Sequence, residues 1–110
     1  MNTTLRMAGK HVIVEINDNI SIYNVQELKK TLFDLIEDPQ NSSLVVDLGN
    51  ISFIDSSLIS TLVAGLKKMK ARGGEFSLLH LHNSVVNILT ISNLLKDFKH
   101  YDNEDDLLLG

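Results

Sequence analysis

The chain has 110 residues, ten Lys and Arg against 14 Asp and Glu, a net charge of −4, and 44% hydrophobic side chains. That is one domain's length, apolar enough for a core with a radius of gyration of about 13 Å and too apolar for a disordered regulator. The negative balance gives no electrostatic reason to approach nucleic acid or an anionic membrane. The absence of cysteine excludes disulfides, thiolate metal sites and cysteine nucleophiles. No apolar run reaches the roughly 18 residues of a membrane span or forms a secretory signal. The expectation is a single cytoplasmic domain over residues 1 to 110.

Taken in chain order, a short Leu5-Arg6-Met7 segment and the β-branched run His11 to Ile16, separated by a Gly9-Lys10 turn, read as two antiparallel strands. Asn24 followed by Glu27 has the spacing of a capped helix start. Val25, Leu28, Leu32, Leu35 and Ile36 then keep a helical period up to Pro39. Ser43 to Leu48 is too short for a stable helix and, with Leu44-Val45-Val46 unbroken at its centre, has the pattern of a parallel strand buried on both faces. From Ser57 to Arg72, Leu58, Leu62, Gly65, Leu66 and Met69 form one stripe, with lysines in the last turns and Gly73-Gly74 as the stop. Glu75 to Leu81 supplies a further strand. Ser84 reads as the cap of a helix carrying Val85, Ile88, Leu89 and Leu94, Phe98 to Tyr101 as a short edge strand, and Asn103 to Leu109 as a terminal helix.

The order β-β-α-β-α-β-α-β-α predicts an α/β domain with a mixed sheet of four to five strands and helices packed mainly on one side. The acidic run Asn103 to Asp106 reads as a solvated helix start.

The segment Asp55-Ser56-Ser57 differs from plain scaffold. A helix start needs one small polar cap, worth about 1 kcal/mol, and here three such residues stand together. A hydroxyl at a helix N-terminus is also suited to phosphorylation, because amides and dipole can receive phosphate oxygens.

These residues carry a resemblance. The string Leu44-Val45-Val46-Asp47-Leu48, then Ile51-Ser52-Phe53-Ile54-Asp55-Ser56-Ser57, the helix ending Lys70-Ala71-Arg72-Gly73-Gly74 and the strand Glu75 to Leu79 are similar to the STAS domain of anti-sigma factor antagonists. The likeness extends over nearly the whole chain. It implies that Ser57 is phosphorylated by an anti-sigma factor with serine kinase activity, that a serine phosphatase resets it, and that the unmodified form binds the anti-sigma factor and frees the sigma factor. By position, it assigns partner contact to Ser21, Tyr23, Asn24, Asp55, Ser56 and Leu58.

Two positions depart from the family pattern. Leu58 stands where the motif has glycine, putting a bulky side chain beside the acceptor, and Ser21 stands where an aspartate commonly precedes the first helix. The resemblance implies no enzyme activity, cofactor, metal, nucleic acid or membrane partner, and a monomer or weak dimer. The rival expectation is an unphosphorylated STAS adaptor subunit in a secretion, stress-signalling or lipid-transport complex, with Met7, Tyr23 and Leu107-Leu108-Leu109 as an apolar interface. A hydrolase would need a base beside the serines, and no motif places His11, His80, His82 or His100 there. His80 and His82 share one face of the predicted strand, which is ligand-like spacing without a third ligand.

Overall fold

The computed structural model describes residues 2–109. Five strands, β1 (Thr3–Ala8), β2 (His11–Ile16), β3 (Ser43–Asp47), β4 (Glu75–Leu79) and β5 (Lys99–Tyr101), form one mixed sheet whose spatial order is the chain order. β1 runs antiparallel to β2, and β2 through β5 run parallel. The crossovers are α1 (Val25–Glu37), α2 (Ser56–Ala71) and α3 (Asn83–Ile91).

Alternation along the strands divides the interior in two. Val12, Val14 and Ile16 of β2, Leu44 and Val46 of β3, and Phe76 and Leu78 of β4 join Leu28 and Leu32 of α1, Leu58, Leu62 and Met69 of α2, and Val85 and Leu89 of α3 in the main core. The opposite face carries a smaller cluster of Ile13, Val45 and Leu79 closed by Leu107. β3 is buried at all five positions, as its unbroken apolar run predicts. Helices on one side of a five-stranded sheet agree with the expected architecture.

α2 passes very close to β4. A Cβ at Gly65 would lie 2.8 Å from Phe76 Cε2, so glycine here is a packing requirement. The end of α2 is a Schellman motif: Gly73 N–H donates to Lys70 O at 3.0 Å and Gly74 N–H to Met69 O at 2.9 Å, with Gly73 at φ 78°.

Several local expectations are corrected. β1 spans six residues, because the hairpin pairs Thr3 with Ile16 through Ala8 with His11. Asn24 does not cap α1 with its side chain. Its carboxamide turns back, accepting from Ser21 N–H at 2.8 Å and donating to Asn19 O at 2.9 Å. β4 stops at Leu79 because His80 turns the chain out at φ 59°, so His80 and His82 do not share a strand face. Ser84 lies inside α3, and its hydroxyl donates to Ser52 O at 2.6 Å. A second Schellman ending, with Asn93 at φ 58°, closes α3 before Leu94. The terminal segment is a 3-10 turn, Glu104–Leu108. Its Glu104 is drawn into an ion pair with Arg6 at 2.6 Å, and its Leu107 is buried while Leu108 and Leu109 are exposed.

On the face opposite the helices, Arg6 also pairs with Glu15 and Asp47, each at 2.8 Å. Asp47 ends the central strand and is buried. Burial would push its carboxyl up, but hydrogen bonds from the Arg6 guanidinium and the Gly49 N–H, with His80 beside it, outweigh this and hold it below the usual range.

Asp47→Asn is expected to lower stability by about 2 kcal/mol. The native carboxyl is depressed, so its contribution is full above the unfolded value near pH 4 and fades as pH falls through the native value. Urea melts at neutral and acidic pH check both the loss and the closing of the gap between wild type and variant. Gly65→Ala is expected to destabilise as well, since overpacking costs about 1 to 3 kcal/mol against the roughly 1 kcal/mol of helix propensity regained. Thermal melts read the net sign.

Candidate functional site

β2, β3 and β4 point their C-terminal ends to one edge of the sheet, so the loops that follow them emerge together. They are also tied to one another. Asn50 Nδ2 donates to Glu15 Oε2 at 2.9 Å and to Asn17 Oδ1 at 3.0 Å, and Ser84 clasps Ser52 as described. This edge carries the start of α2.

Asp55 is the N-cap of α2, with extended backbone at φ −103°, ψ 179°. Its Oδ1 accepts from Leu58 N–H at 3.0 Å and from the Ser57 hydroxyl at 2.7 Å. One carboxylate oxygen thus caps the helix and orients the serine. The Leu58 amide and then the Ser57 hydroxyl hold the Asp55 carboxyl below the usual range, so it is ionised at neutral pH. Ser57 is half-buried and Ser56 exposed. Thr61 lies one turn below and donates its hydroxyl to Ser57 O at 2.9 Å, fixing the first two turns.

Leu58 is wholly buried. Its side chain points into the main core with Leu62 and Met69, which corrects the expectation that it stands beside the acceptor as a contact residue. Replacing a glycine with leucine at this helix position adds to the core and leaves the Ser57 hydroxyl unscreened by that side chain.

In the loop before α1, Ser21 and Asn24 are spent on holding the loop. Ser21 O accepts from Asn24 N–H and Val25 N–H, and Ser21 Oγ accepts from Tyr23 N–H at 3.2 Å. This tight turn displays Ile22 and Tyr23, which are 69% and 92% exposed. Phe53, in the loop before α2, is 65% exposed. Ile22 and Phe53 are absent from the contact residues that the resemblance implies. Their signal is an apolar side chain in a loop held by polar neighbours, where burial has no claim on it.

Three of the four histidines are engaged elsewhere, and His100 is exposed on β5. His11 is buried between Ser43 Oγ at 2.6 Å and Leu107 O at 2.9 Å. His80 Nδ1 lies 3.0 Å from Asp47 Oδ1, and His82 Nε2 lies 2.7 Å from Gly49 O. Among the described residues, no three acidic or histidine side chains gather into a metal-binding group, and no helix is long and apolar enough to cross a membrane.

Residues 2–107 match the profile of the STAS domain family. The chain belongs to that family. Its relatives include a Thermotoga neapolitana protein, provisionally assigned as an anti-sigma factor antagonist, that is 30% identical over 88% of this chain and 86% of its own length. The anti-sigma-B factor antagonist of Bacillus subtilis is 26% identical over 86% of this chain and 84% of its own. The crystal structure of a Thermotoga maritima protein, with the same provisional assignment, superposes with a TM-score of 0.89 at 25% identity, covering 96% of this STAS domain and 91% of that chain.

The double use of the Asp55 carboxylate has a direct test. In a carboxyl-carbon NMR titration, Asp55 is expected to titrate below free aspartate, and Ser57→Ala to move it up toward the ordinary value. Asp55→Ala is expected to cost about 1 kcal/mol of stability for the lost cap, read by urea denaturation.

Proposed function

We propose that this STAS domain is an anti-sigma factor antagonist whose docking is gated by phosphorylation of Ser57. The observation that carries the reading is the Ser57 hydroxyl held by the Asp55 cap on the sheet edge that also exposes Tyr23 and Phe53. The names of the relatives supply the partner class. The unmodified edge docks on the anti-sigma factor through Tyr23, Asp55 and Ser56, joined by Ile22 and Phe53, while Ser21 and Asn24 hold the loop that presents Ile22 and Tyr23. The anti-sigma factor's serine kinase activity then transfers the γ-phosphoryl group of ATP to Ser57 Oγ. The new O–P bond replaces the bond to the ADP oxygen, and the hydroxyl proton leaves to a base on the kinase.

Phosphorylation removes the proton that Ser57 donates to Asp55 and adds about −1.5 to −2 charges beside an ionised carboxylate. At roughly 7 Å and an effective dielectric of 20 to 80, repulsion from one facing carboxylate is about 1 to 5 kcal/mol. At 1.4 kcal/mol per decade, that amounts to about one to three decades of affinity. The helix N-terminus offsets part of the phosphate's self-energy, so the fold tolerates the group. A serine phosphatase restores docking. With Leu58 buried, its bulk does not stand between a kinase and the Ser57 hydroxyl.

Incubating the complex recovered from native lysate with ATP, then measuring intact mass, is expected to show one phosphate on Ser57 and release of a kinase-type anti-sigma factor. A stable complex that gains no phosphate refutes the gating. In binding assays with the purified partner, Ser57→Asp, which adds one charge where phosphate adds nearly two, is expected to weaken docking by about 3- to 50-fold, while Ser57→Ala binds and stays bound.

A further inference from the structure

At the other end of α2, a groove runs between the last turns of that helix and the segment entering β5. Its floor is apolar, built from Val63, Leu66 and Phe98, and its two connected hollows have volumes of about 180 and 260 Å³. Lys67 and Lys70 stand on the α2 side, and Lys96 and Lys99 on the β5 side. All four are exposed, and among the described residues none forms an ion pair. Four of the ten cationic side chains of a chain with net charge −4 therefore surround one apolar cleft. Two carboxylates also line it, Asp97 and Glu75, and Glu75 lies 3.3 Å from Lys10 Nζ.

We infer that this groove is a second docking site, one that takes an acidic peptide segment of a partner protein, with one apolar side chain seated on the Phe98 floor between carboxylates. Charge complementarity selects the occupant. Four ammonium groups outnumber the two carboxylates of the cleft, one of which already faces Lys10, so an anionic ligand relieves their mutual repulsion, while the floor rewards an apolar anchor. Each hollow alone falls below the roughly 300 to 1,000 Å³ of a site that encloses a small molecule, and the elongated cleft the two make together suits a side chain delivered by a chain lying across the surface. Phe98 is only 4% exposed, recessed below the lysines, so the surface is concave and has no protruding apolar group to enter a bilayer.

Thirteen residues separate Ser57 from Lys70 along α2, about 20 Å at 1.5 Å per residue. The groove and the serine edge are therefore occupied independently, and the groove does not rest on the function proposed for Ser57.

The test is selection of a random octapeptide display library against the intact protein, in parallel with the charge-reversal variant K70E/K96E. The variant changes exposed side chains, and its fold is checked by circular dichroism and by its retained Ser57 environment in NMR spectra. The expected result is enrichment of octamers bearing several Asp or Glu around one Leu, Phe or Met, with enrichment lost on the variant. The best synthetic peptide should perturb the amide signals of Lys70, Lys96 and Phe98, and its affinity should fall about tenfold from low to high salt. Enrichment without acidic bias, enrichment that survives charge reversal, or perturbations confined to residues 53–58 would overturn the inference. So would co-sedimentation with phosphatidylserine vesicles that K70E/K96E abolishes, which would assign the lysines to a membrane surface.

Discussion

The central strand β3 is buried on both faces and ends in a carboxylate. Removing that charge from water is affordable only because Arg6, the Gly49 amide and His80 converge on Asp47. Each partner comes from a different part of the chain, so satisfying Asp47 fixes the edge hairpin, the turn after β3 and the exit from β4 at once. Glu104 and Glu15 complete the shell around the guanidinium. The left-handed backbone of His80 and the tight fit of Gly49, where a Cβ would lie 3.1 Å from Asp47 Oδ1, are consequences of that convergence. The loop leaving Gly49 is the one that delivers Asp55 and Ser57.

Much of this was legible from local signals. β2 and β3 carry β-branched or unbroken apolar runs, the α1 and α2 stripes repeat at helical spacing, and Gly73-Gly74 marks its stop without any tertiary help. Three of the departures have a polar side chain taking a partner other than the one its local role suggests. Asn24 and Ser84 have the composition of caps, yet one closes its own loop and the other reaches Ser52. Glu104 looks like a solvated helix start and pairs across 98 residues with Arg6. The Schellman turn at Asn93 ended α3 earlier than the apolar spacing to Leu94 suggested, because asparagine can adopt the left-handed conformation.

The candidate site was legible in the same uneven way. Asp55 and Ser57 stand out by composition and by family spacing, and their direct hydrogen bond gives physical content to that pairing. Leu58 belongs to the stripe of Leu62, Leu66 and Met69, so its burial follows from helical periodicity, whereas an expectation carried by family position alone put it on the surface. Tyr23 was assigned by position, and Ile22 and Phe53 are not among the contact positions that the resemblance assigns. What exposes them is loop geometry fixed by side-chain hydrogen bonds, which no period in the sequence encodes.

The spatial order of the strands never departs from their order along the chain. Each new strand therefore finds its neighbour already in place, and the sheet can grow by successive addition as the polypeptide leaves the ribosome. The hairpin of β1 and β2 comes first and already pairs Arg6 with Glu15, while two further carboxylates arrive later. β3 brings Asp47, β4 and its exit bring His80, and the terminal turn brings Glu104 and lays Leu107 over the second face. The turn around Glu104 thus closes the charge cluster that the first strand opened, so Arg6 gains the second and third of its carboxylates only as β3 and then that turn join the sheet.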